Sequence, residues 1–119
     1  MRKKKIIFIT GSRSDYFIQR PILNLINSNK KFEVYLILTG VHFSKKFGYT
    51  ASIVRKEKLG KIIEVKSFIE SNKLESRALG ASIQFKKIIK HLMEIKPSIV
   101  IAPYDREESI ILAIASTYC

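Results

Sequence analysis

Two short polar runs carry the residue types that could do chemistry. Gly11-Ser12-Arg13-Ser14-Asp15 sets hydroxyls, a guanidinium and a carboxylate directly behind the apolar run Ile6–Ile9. Asp105, Arg106 and Glu108 follow a second apolar run, Ser98–Ala102, after the turn Pro103-Tyr104. A carboxylate at a helix start can serve as a general base, its pKa set by burial and by a nearby arginine. The planar fork of Arg13 could grip a diphosphate through paired hydrogen bonds. Between these runs, Gly40–Thr50 (GVHFSKKFGYT) offers His42 as a polar substrate contact or an acid–base group. Each residue also has an ordinary reading: Asp105 as a helix cap, Asp15 favouring a helix N-terminus, Arg13 on the surface, His42 in a loop.

The elements that must position these loops follow from hydrophobic periodicity. Ile6–Ile9 reads as a strand buried on both faces. Asp15–Asn27 reads as a helix with Phe17, Ile18, Ile22, Leu25 and Ile26 on its apolar face, and Pro21 predicts a kink or a helix start at that point. Phe32–Thr39 is a second strand, Gly40–Thr50 a loop, Ser52–Leu59 a helix closed by Gly60, and Lys61–Val65 a third strand. Lys66–Asn72 is a polar connector. From Leu74 to Ile95, the residues Leu74, Ala78, Ala81, Phe85, Ile88, Leu92 and Ile95 recur in steps of four and three, which predicts a long amphipathic helix. Ser98–Ala102 is a fourth strand, and Asp105–Tyr118 a helix with acidic residues in its first turn, where the helix dipole favours them.

Strands alternating with helices predict an α/β fold: a Rossmann-like, three-layer parallel sheet with right-handed crossovers and strand order 3-2-1-4. Ligands in such sheets bind beyond the carboxyl ends of the strands, where the order reverses. The reversal lies between the first and fourth strands. Gly11–Asp15 and Tyr104–Glu108 therefore flank the expected crevice, with Gly40–Gly48 one strand away. The arrangement predicts a half-site for an anionic, nucleotide-bearing ligand. No Gly-x-Gly-x-x-Gly, Walker loop, metal-spaced His/Cys cluster or Ser/His/Asp arrangement is present, so nothing in the sequence points to NAD, ATP or a metal.

At 119 residues the chain is expected to form one domain, 1–119. The formal charge of +12 invites a nucleic-acid or anionic-membrane partner. The lysines are scattered, however, with no single stripe carrying interleaved aromatics, which argues against a dedicated nucleic-acid binder. The one cysteine, Cys119, excludes an intrachain disulfide and suits a reducing compartment. The apolar core behind MRKKK is too short for a signal peptide, and no stretch is long enough to span a membrane, so the expected location is the cytoplasm.

Three segments, in this order, resemble the hydrolysing UDP-N-acetylglucosamine 2-epimerases, especially the sialic-acid-pathway type: ITGSRSDYFIQRPIL (Ile9–Leu23), LTGVHFSKKFGYT (Leu38–Thr50) and KPSIVIAPYDREESIILAIA (Lys96–Ala115). The resemblance implies part of the N-terminal half of a two-domain, GT-B-like enzyme, with the second, UDP-binding domain absent. Such enzymes eliminate UDP from UDP-N-acetylglucosamine and hydrate the resulting glycal to N-acetylmannosamine, with no metal or redox cofactor. Position by position, Arg13 matches an arginine near the UDP phosphates and Asp105 an acidic residue important to catalysis. Asp15, His42, Arg106 and Glu108 match recurrent active-site loop positions, with Gly11 and Gly40 as loop glycines. Tyr104 stands where the family has a glycine. The resemblance further implies homo-oligomeric full-length relatives and an isolated chain that is inactive, because one domain cannot close around substrate. Two alternatives stand beside it: a subunit of a split GT-B glycosyltransferase, and a basic module binding nucleic acid or an anionic surface. The fourth strand is expected to be an exposed apolar edge.

Overall fold

The structure, a computed structural model, describes residues 2–44, 48–67, 73–103 and 106–119. Four strands make one parallel sheet: β1 (Lys4–Thr10), β2 (Phe32–Thr39), β3 (Lys61–Val65) and β4 (Ile99–Val100). The spatial order is β3-β2-β1-β4, as the alternation of elements predicts. β1 pairs with β2 along its whole length, from Lys4 opposite Phe32 to Thr10 opposite Leu38. On its other side β1 meets β4, with Ile6 opposite Ile99 and Ile7 opposite Val100. Two further backbone bonds, Ser98 N–H to the Lys5 carbonyl (2.9 Å) and Ile101 N–H to the Ile7 carbonyl (2.8 Å), extend that short pairing.

Alternation along β1 divides the core into two layers. Ile6 and Phe8 face α1 (Arg13–Asn27) and α2 (Ala51–Glu57), packing with Tyr16, Leu23, Val34, Leu36 and Val54. Ile7 and Ile9 face α3 (Leu74–Ile95) and α4 (Glu107–Tyr118), packing with Ile37, Val65, Ile88, Leu92 and Leu112. Each of these fully buried aliphatic side chains contributes roughly 1.5–3 kcal/mol. Burial on both faces explains why β1 reads as an unbroken apolar run.

Several local expectations change. α1 begins at Arg13 and runs through Pro21 to Asn27, so it does not begin at the proline. Ser12 caps it, its Oγ accepting from the Asp15 N–H at 3.3 Å. Pro21 is exposed, where water can serve the carbonyl that its missing N–H leaves free. The buried face of α1 is Asp15, Tyr16, Gln19 and Leu23, while Ile18, Ile22 and Leu25 are exposed. α3 has the predicted bounds and buries Ile88 and Leu92, but Leu74 is exposed and Gln84 is buried in the face. α2 stops at Glu57, with Lys58 in the left-handed conformation. Part of the expected loop after β2 is a 3-10 turn, Gly40–Phe43. α4 starts at Glu107, and Tyr104, Asp105 and most of the connector over 66–72 lie outside the described residues. Among the described residues no helix is long and apolar enough to cross a membrane.

Candidate functional site

The carboxyl ends of β1 and β2 and the amino ends of α1 and α4 meet at one point. Arg106, the residue before α4, ties them together. Its Nη1 donates to the Ser12 Oγ at 3.3 Å and its Nε to the Glu108 Oε2 at 3.4 Å, with the Asp15 Oδ2 3.6 Å away. Asp15 sits in the first turn of α1 and Glu108 in the first turn of α4, where the dipoles favour both carboxylates. Both carboxylates are buried; Arg106 is 42% exposed in its side chain. A guanidinium held on one side by two buried carboxylates and a hydroxyl is oriented before any ligand arrives, with part of its fork open to solvent.

Glu108 also explains the glycines. A Cβ on Gly11 would lie 2.5 Å from the Glu108 Cδ, and one on Gly40 would lie 2.6 Å from the Gly11 carbonyl oxygen and 3.0 Å from the Glu108 Oε1. Gly40 in addition has φ +65°. The Val41 N–H donates to the Gly11 carbonyl at 3.0 Å, so the β1–α1 and β2 loops are joined directly over the Glu108 carboxylate.

His42 lies beneath this platform. It is fully buried, with Nε2 2.9 Å from the Thr10 Oγ1 and Nδ1 2.7 Å from the Thr50 Oγ1. The Thr10 hydroxyl donates to the Ser12 carbonyl at 3.2 Å, so a neutral ring protonated at Nε2 satisfies both contacts. Burial pushes its pKa down to about 4, and the Arg106 charge acts in the same direction. His42 therefore pins the end of β1 to the start of α2, and neither ring nitrogen is open to a ligand. The sequence offers His42 as a polar substrate contact, an acid–base group or an ordinary loop residue; in the structure the 3-10 turn directs its imidazole inward.

Arg13 stays apart from the Arg106 cluster. It is exposed on the first turn of α1, its guanidinium 5.3 Å from the centre of the Phe17 ring. Asp105 lies outside the described residues. Of the residues singled out in the sequence, Gly11, Asp15, Gly40, Arg106 and Glu108 come together. The supporting Ser12, Thr10 and Thr50 were not singled out for these roles, since hydroxyl residues beside loops are common and their partners are distant in sequence. Gln19 is a further such residue: its Nε2 donates to the Ile9 carbonyl at 2.9 Å and holds α1 to the end of β1. No group of three or more His, Cys, Asp or Glu among the described residues could hold a metal ion.

No protein-family model matches the chain. It is 32% identical over 111 residues to a UDP-N-acetylglucosamine 2-epimerase of Neisseria meningitidis, a match covering 90% of this chain and 28% of that protein. It is 27% identical over 114 residues to a Campylobacter jejuni GDP/UDP-N,N'-diacetylbacillosamine 2-epimerase of the hydrolysing kind, covering 95% of this chain and 29% of the relative. A crystal structure of a UDP-N-acetylglucosamine 2-epimerase superposes with a TM-score of 0.75 at 15% identity, over 98% of this chain and 31% of that one. The chain thus spans less than a third of the length of these proteins. By sequence and by fold, the relatives of this chain are 2-epimerases of the hydrolysing UDP-N-acetylglucosamine type, of which it is a partial counterpart.

Proposed function

We propose that this chain supplies one wall of a UDP-sugar cleft, as the N-terminal part of a hydrolysing UDP-N-acetylglucosamine 2-epimerase. The observation that carries this reading is the Arg106 junction, which fixes the amino ends of α1 and α4 against the glycine turns at the sheet's reversal point. Helix amino ends and a held guanidinium suit a diphosphate. Arg13 reaches the phosphates from the α1 side, and Asp105, next to Arg106, acts on the sugar as an acid–base group. The net conversion is UDP-N-acetylglucosamine plus water to N-acetylmannosamine plus UDP, through loss of UDP and hydration of the glycal. Asp15 and Glu108 hold Arg106 and do not themselves meet the sugar, and His42 holds the platform from below.

One wall leaves the reacting sugar open to water, so the isolated chain is expected to bind UDP weakly and to turn over negligibly. Thermal unfolding with increasing UDP tests the binding. A saturable rise in Tm at ~1 mM UDP, lost in Arg106→Met and reduced in Arg13→Ala, is expected. No UDP-dependent shift in the parent chain would overturn the reading. Enzyme-like release of UDP from UDP-N-acetylglucosamine would overturn the expected inactivity.

A further inference from the structure

The fold gathers lysines that stand apart in the sequence. In a parallel sheet every strand starts at the same edge, and each crossover helix ends there. Lys3 and Lys4 open β1, Lys30 and Lys31 precede β2, Lys58 lies just before β3, and Lys96 lies before β4. All six are exposed, and none forms an ion pair with a described residue. The register sets them side by side: Lys4 is opposite Phe32, directly after Lys31, and Ile6 is opposite Ile99, three residues after Lys96. With neighbouring strands ~4.8 Å apart, the row crosses the sheet in roughly 15 Å. The carboxylates at this end are already engaged. Glu33 pairs with Lys61, Glu57 with Arg20, and Glu94 lies 3.9 Å from the His91 Nδ1.

Two of the six stand where lysine is unfavourable. Lys58 and Lys96 are the C-cap residues of α2 and α3, and both hold left-handed backbone, with φ +50° and +53°. Glycine is the usual residue there, because a Cβ disfavours that conformation. A cation beside a helix C-terminus offsets part of the strain. At the end of α3 that role is already filled, since the Lys5 Nζ donates to the Ile95 carbonyl at 3.2 Å. The charge of Lys96 is therefore surplus to capping and faces solvent.

We infer that the amino edge of the sheet docks on an anionic lipid surface, with these lysines reaching the headgroups. Lys58 follows α2 on one face of the sheet and Lys96 follows α3 on the other, so the charges spread in two dimensions over a blunt end. A bilayer presents a plane of negative charge that meets such an end at once. The nearby amides do not read bases: Asn27 donates to the Lys58 carbonyl at 3.5 Å, and Asn29 accepts from the Lys31 N–H at 2.9 Å. Each lysine that nears an anionic surface strengthens binding roughly fivefold. The contact lies on the membrane and does not cross it. β1 sets the Arg106 junction about 20 Å away at the opposite edge, so the docked protein keeps that junction open to solvent.

Sedimentation of this chain with vesicles tests the inference. Binding is expected on phosphatidylcholine vesicles containing about one third phosphatidylglycerol, and not on phosphatidylcholine alone. Raising the salt from about 0.1 M to about 0.5 M should weaken it at least about tenfold. Lys4→Glu, Lys31→Glu and Lys96→Glu together should weaken it at least about tenfold, and glutamine at the same three positions should weaken it less. The glutamine variant carries the test if the glutamates impair folding. Lys66→Glu, Lys86→Glu and Lys87→Glu, away from this edge, change the net charge equally and should weaken binding no more than about threefold. UDP and Arg106→Met should leave vesicle binding unchanged, which separates this result from the reading of the cleft. Absence of binding to the anionic vesicles overturns the inference. So does equal binding to phosphatidylcholine alone, equal loss in the two glutamate sets, or tighter binding to a DNA duplex at matched phosphate concentration.

Discussion

The carboxylate of Glu108 occupies the space where a side chain at Gly11 would begin, 2.5 Å from the position of its Cβ. The contact lies between the first turn of α4 and the loop after β1, so it ties together elements that are far apart in sequence. Gly11 does not need a left-handed backbone, and the penalty for a larger residue is steric. Gly11→Ala should destabilise the chain by about 1–3 kcal/mol. In a Glu108→Ala background the same substitution should cost less than about 1 kcal/mol. Urea unfolding of the four chains in this cycle measures the coupling, and additive effects would refute it.

His42 makes stability depend on acidity. Its pKa is about 4 in the fold against an ordinary value near 6.5, so the unfolded chain binds the proton more readily. The contribution of the neutral ring is complete above about pH 6.5 and is lost as the pH falls from there towards 4, up to about 3 kcal/mol in all. Denaturant midpoints between pH 7 and pH 4 should fall more steeply for the parent than for His42→Asn. Equal slopes would show that the buried ring is not the source.

Tyr16 donates to the Glu57 carboxylate at 2.6 Å, and Arg20 pairs with the same group. Tyr16→Phe keeps the buried ring and removes a charge-assisted bond, so a loss of about 1–2 kcal/mol is expected. Arg20→Ala should cost less than about 1 kcal/mol, because the arginine is half exposed. Chemical denaturation distinguishes the two.

Arg13 and Arg106 should separate binding from folding. Arg13→Ala should change stability by no more than about 1 kcal/mol, since Arg13 is exposed where it lies over the Phe17 ring. Arg106→Met removes the cation shared by Asp15 and Glu108 and should cost about 1–2 kcal/mol, reduced by solvent at its exposed end. Calorimetry should show weaker UDP binding in both, with the stability loss confined to Arg106→Met.

Much of this architecture was legible in the sequence. β3 and α3 have the bounds their periodicity predicts, and the strand order is the 3-2-1-4 expected for the alternating elements. The face of α1 was not legible. Its aliphatic residues cover more than one flank, and the inward positions went to Tyr16 and Gln19, whose polar ends meet Glu57 and the Ile9 carbonyl. Those partners sit on other elements, so spacing within the helix could not reveal them. The same holds at the site. Gly11, Gly40 and the acidic turn stand out as residue types, but only the tertiary fold puts Glu108 on the glycines and turns His42 inward.

The central place of β1 bears on how the chain folds as it is made. β1 is synthesised first, and β2 and β3 can build on one of its sides while the ribosome is still producing α3. Its other side must wait for Ile99 and Val100, near the far end of the chain. Pairings this distant in sequence form late and slowly. Through that interval an apolar strand edge is exposed, and nascent chains of this protein are most open to misassociation until β4 emerges.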